Sequence, residues 1–109
     1  CNISISADKN GIYAAYRDLD DGSKPKLAVW NGTAWDNVTI SESSCSTVRT
    51  VADGNGVIIA ATGDAEGLYS YSDGKLTFSA FPKTNGNCFD AVPFTAGDKL
   101  LTGVNSEPV

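Results

Sequence analysis

Two tryptophans, Trp30 and Trp35, follow closely on a Tyr16-Arg17 pair, and these four side chains are the ones best suited to hold a ligand. Indole and phenol rings can stack on the apolar face of a pyranose, while a guanidinium fixes the orientation of its hydroxyls. The competing reading is that Trp30 and Trp35 flank a hairpin and clamp its strands, as cross-strand aromatic pairs do. Catalysis has less to work with. The chain contains no histidine, so no serine has the usual base beside it, and nothing in the spacing sets two carboxylates across one cleft. No catalytic residue is expected and the chain reads as a non-enzyme. Asp18, Asp20, Asp21 and Gly22 superficially suggest a calcium loop, but calcium needs six or more oxygens in ordered spacing, and like charges so clustered ordinarily face water. Neither a metal nor a cofactor is expected.

The elements that must carry these residues are organised as a repeat. Ala7-Asp8-Lys9-Asn10-Gly11-Ile12-Tyr13-Ala14-Ala15 returns forty-five residues later as Ala52-Asp53-Gly54-Asn55-Gly56-Val57-Ile58-Ile59-Ala60, with a worn third copy at Ala96-Gly97-Asp98-Lys99-Leu100-Leu101. Each copy is a turn feeding a short apolar strand, at a period within the range of repeat arrays. Alternation through Ile3 and Ile5 predicts a half-buried strand over 1–6. Strands are then expected over 11–17, 26–30 and 33–40, the last two joined by a two-residue Asn31-Gly32 hairpin. The pattern restarts over 46–51, 56–62, 68–72 and 75–81, with Asp73-Gly74 in the place of Asn31-Gly32, and 89–94 with 99–104 supply half of a third unit. The run Val57 to Ala61 should be buried on both faces. No segment has helical periodicity. The expected fold is all-β, with antiparallel four-stranded units over about 1–44 and 45–87 and an incomplete one over 88–109, blade-like in a propeller; a β-sandwich is the alternative.

Cys1, Cys45 and Cys88 each open a unit, so they read as small apolar residues in equivalent packing slots, a disulfide between two of them being the alternative. With 13 acidic against 8 basic residues the net charge is −5, and no basic cluster offers a footprint for nucleic acid. No apolar run approaches the ~20 residues of a membrane helix. The lack of methionine, with Cys1 at the start, suggests a processed or partial chain. Sequons at Asn2, Asn31 and Asn37 point to a secreted, extracellular glycoprotein, with Asn31 the first candidate because it sits at a hairpin tip.

Tyr13-Ala14-Ala15-Tyr16-Arg17-Asp18, followed by Leu27-Ala28-Val29-Trp30-Asn31-Gly32-Thr33-Ala34-Trp35, resembles the strand, turn and tryptophan rhythm of secreted β-propeller repeats, lectin-like ones included. Similarity to the fucose-lectin propellers would imply sugar sites between blades, built from an arginine, an acidic residue and an aromatic platform. Arg17 and Trp30 or Trp35 are the residues that carry over. The second unit departs from this, with Thr62, Ser72 and Thr77 at the places taken as equivalent. Ser6 to Gly11 and Ser72-Asp73-Gly74 resemble the Asp-box turn of sialidase-type propellers without its final aromatic. Two functions follow as expectations. One is carbohydrate binding through Tyr16, Arg17, Trp30 and Trp35; the other is a glycosylated structural subunit that assembles with itself into a ring or filament, or within a longer array, through its incomplete C-terminal unit.

Overall fold

The computed structural model describes residues 3–52 and 54–79 in full, and 88–96 with 99–106 as backbone strands. The protein is all-β. Its first sheet has the order β1 (Ile3–Asp8), β2 (Gly11–Asp18), β3 (Lys24–Trp30) and β4 (Trp35–Thr39). The second repeats it with β5 (Thr47–Ala52), β6 (Val57–Thr62), β7 (Gly67–Ser72) and β8 (Lys75–Ser79). A two-stranded ribbon pairs β9 (Cys88–Ala96) with β10 (Lys99–Ser106). All pairings are antiparallel between sequence neighbours. The sheets do not close on one another, so the fold is an array of meanders and not a completed ring. Among the described residues no helix is long and apolar enough to cross a membrane.

The two four-stranded sheets agree in register. Ile3 pairs with Tyr16 as Val48 pairs with Ala61, and Ile12 pairs with Trp30 as Val57 pairs with Tyr71. The structural counterpart of Trp30 is therefore Tyr71, not Ser72, and that of Trp35 is Leu76, not Thr77. Aligning the two turns on their glycines displaces the comparison by one residue. Gly11 and Gly56 mark the same place in both units. A Cβ on Gly11 would stand 2.6 Å from the carbonyl oxygen of Trp30, and one on Gly56 would strike the carbonyl oxygen of Tyr71. Only glycine lets the neighbouring strand come so close.

The turns also differ. Asp73 and Gly74, with φ of 52° and 77°, make the two-residue turn whose twist suits a hairpin. The first unit uses a four-residue connection instead, so β4 begins at Trp35 and not at Thr33. The Asn31 Oδ1 accepts from the backbone N–H of Thr33 and of Ala34, at 2.9 and 3.0 Å, and so closes the turn with a side chain. Pro25 lies within β3 without breaking the β2–β3 ladder. Its carbonyl accepts from the N–H of Ile40 on the β4 side, and its missing donor falls on that same side.

Packing is one-sided in the first unit. The inner face of the first sheet, with Tyr13, Ala15 and Leu27, shares a single core with Val48, Val57 and Ile59 of the second. Every residue of β6 is buried, as its apolar run requires. In β1 the half-buried side is the polar one. Ser4 Oγ lies 3.1 Å from Thr50 Oγ1 and accepts from the Thr50 N–H at 3.0 Å, while Ile3 and Ile5 are 55% and 65% exposed. Alternation reveals that a strand has two unlike faces. Which one is covered depends on the neighbouring sheet.

Candidate functional site

Side-chain alternation decides which of the sequence-derived site residues can act together. Tyr16 pairs with Lys26, Ile12 with Trp30, and Trp30 with Trp35, so Tyr16, Trp30 and Trp35 share the outer face of the first sheet. Arg17 is the next residue along β2 and lies on the opposite face, toward the second unit. The structure does not bring Arg17 to the aromatic platform. The Arg17 Nε is buried without a hydrogen-bond partner, and its charge acts on Cys45. Trp30 and Trp35 stack against each other with centroids 5.4 Å apart and planes tilted by 50°, the geometry of a cross-strand clamp. Trp35 is nonetheless 49% exposed. The Tyr16 hydroxyl donates to Asn37 Oδ1 at 3.0 Å, and both Asn31 and Asn37 are exposed. Asn2 and Cys1 lie outside the described residues.

The better-enclosed place is a cleft of about 360 Å³ between the two four-stranded units, at the end where their turns meet. The first unit contributes Asn10, Tyr13 and Val29; the second contributes Asn55, Tyr71 and Asp73. Its position is fixed by contacts between the turns. Asn10 Nδ2 donates to the Gly54 carbonyl at 2.8 Å, and the Gly54 N–H donates to Asp8 Oδ2 at 3.2 Å. Asp8 Oδ1 in turn accepts from the Asn10 N–H at 2.8 Å and from the Tyr13 hydroxyl at 3.2 Å. On the other wall the Ser72 hydroxyl donates to the Asn55 carbonyl at 2.6 Å. Among the described residues two phenol rings and a valine thus stand beside two amides and one carboxylate, and neither a lysine nor an arginine lines the cleft. Such a surface suits a neutral or cationic ligand rich in hydroxyls and disfavours an anion.

None of these cleft residues was singled out for binding by the sequence except through the repeated turn itself. Asn10 and Asn55 are the asparagines that recur in that turn, but their approach across two units depends on how the sheets stack.

The acidic loop forms an ion-pair cluster. Lys26 Nζ lies 2.8 Å from both Asp18 Oδ2 and Asp21 Oδ2, while Lys24 Nζ reaches Asp21 at 3.4 Å and Glu42 at 2.9 Å. The hydrogen bond from Lys26 holds the Asp18 and Asp21 carboxyls below the usual range, and those carboxylates hold Lys26 above its own. Among the described residues no three metal-ligating side chains converge. Cys45 is buried and unpaired, and burial pushes its thiol up against the opposing pull of Arg17. No family model matches the chain, and no curated protein or solved structure is significantly similar to it.

Proposed function

We propose that the protein is a non-catalytic, extracellular binding module that takes a neutral saccharide in the cleft between its two four-stranded units. The observation that carries this reading is the lining of that cleft, in which the part-exposed Tyr71 supplies apolar ring surface beside Asn10, Asn55 and Asp73, with the buried Tyr13 at its base. A volume of about 360 Å³ falls at the lower end of ligand pockets and suits one or two sugar rings. The Asp73 carboxylate accepts hydroxyl donors, and the amides offer both donors and acceptors.

A glycan array followed by titration calorimetry tests the reading. Tyr71→Ala and Asp73→Asn should each weaken saccharide binding by on the order of tenfold or more; Asp73→Asn should keep the parent's melting curve, whereas Tyr71→Ala also removes a ring packed against the core and should lower it. A second reading places the sugar on the outer face, and the half-exposed ring of Trp35 favours it. Binding lost in Trp35→Ala and kept in both cleft variants would move the site there. A chain that binds no saccharide on the array ends both readings.

A further inference from the structure

The outer face of the first sheet is the bare counterpart of a face that is buried one unit further on. Register equates Ile3 with Val48, Ile12 with Val57 and Ala14 with Ile59. Val48, Val57 and Ile59 are 0%, 1% and 0% exposed because the first sheet covers them. Ile3 and Ile12, in the same places of the preceding unit, are 55% and 39% exposed. Ile5 and Trp35 extend this apolar surface at 65% and 49% exposure. Exposed apolar residues are ordinary when scattered, but these lie on neighbouring strands of one face.

The occupant is indicated by the interface already present inside the chain. β5 packs on β1 and β2, and β9 packs on β5 and β6, so each unit presents the same side to its successor. The position in another molecule that stands in this relation to the bare face is the far side of its β9–β10 ribbon. We propose that the outer face of the first sheet docks the C-terminal unit of a second copy of this chain, head to tail, continuing the internal stack. The surfaces joined are different, so the contact is heterologous and either closes into a ring or runs on as a filament. The sequence already singles out the C-terminal unit as one partner in association. The structure assigns the other, on β1 to β4.

Sedimentation velocity across a wide concentration range reads the outcome on the 109-residue chain. The parent should self-associate, either to a closed species of fixed size or to a growing series. Ile5→Lys sets a charge in the middle of the contact and should weaken association by on the order of tenfold or more. Because Ile5 is largely exposed in the single chain, that variant should keep the parent's circular dichroism and melting temperature. Leu19→Lys makes the same change at a residue that is 63% exposed in the acidic loop, and should associate as the parent does. A parent that stays monomeric at the highest concentration overturns the proposal, as does an Ile5→Lys chain that associates unchanged.

Discussion

Lys26 shows how much a few charged atoms contribute to holding one edge of the first sheet. Its amine bridges Asp18 and Asp21 at 2.8 Å each, fastening β3 to the loop that leaves β2. The hydrogen bond from Lys26 is the main cause that lowers both carboxyls from the usual aspartate value of 3.8. A carboxyl with a depressed folded value binds its proton less readily in the folded chain than in the unfolded one. Its stabilising share is therefore fully present above 3.8 and is lost as pH falls through the lower folded value. Lys26→Met should lower the melting temperature by a constant amount through the neutral range, and the gap from the parent should close in acid. A gap that persists to about pH 2 would show that the cluster acts through packing and not through charge. At the same scale Tyr16 and Arg17 carry a plain lesson. Adjacent residues on a strand point to opposite faces, so their separation was legible from the assignment of β2 alone, and the pair could never have lined one platform.

Strand-level features were the most legible part of the chain, because alternation and turn residues are local. The ten strands of the described residues fall within a few residues of where period-two runs and Asn-Gly or Asp-Gly turns place them. What failed was non-local. In β1 the isoleucines looked like the buried half, yet the serines face the second sheet because Thr50 offers them partners. The match of Trp30 with Tyr71 was hidden by unequal turns, Asn31 closing its own turn with a side chain while Asp73-Gly74 needs none. The cleft could not be read at all, since it exists only where two turns from different units meet. Burial of β6 did follow from its composition, and it carries two predictions. Ile59→Ala should cost about 2 to 4 kcal/mol by denaturant unfolding, from lost transfer energy and the cavity left behind. Gly56→Ala adds a single methyl against the Tyr71 carbonyl and should cost about 1 to 3 kcal/mol, since the β6–β7 pairing must open to admit it. A loss below about half a kcal/mol would mean, for Ile59→Ala, that the units are not held face to face as described, and, for Gly56→Ala, that β6 and β7 do not approach so closely.

At the scale of the whole molecule, the proposed glycosylation and the proposed docking contend for one surface. Trp35 and Asn37 are two residues apart on β4 and so point to the same side, which is the bare outer face. Asn37 is exposed, and its Oδ1 is engaged by Tyr16, which leaves the amide nitrogen as the point where a glycan would join. A branched sugar rooted there would stand where the next unit has to lie flat against the sheet. Asn31 differs, because it sits in the connection beyond the end of β3 and its amide closes the turn at the rim of the sheet. Chain produced in a eukaryotic secretory pathway should therefore be monomeric when Asn37 carries a glycan. Asn37→Gln should restore head-to-tail association while leaving any sugar at Asn31 in place. Native mass spectrometry reports glycan occupancy and subunit number on the same ions, so each species can be sorted by site and by size. Oligomers whose subunits are all modified at Asn37 would show that the outer face is not the docking surface, whatever the fate of the saccharide cleft at the far side of the sheet.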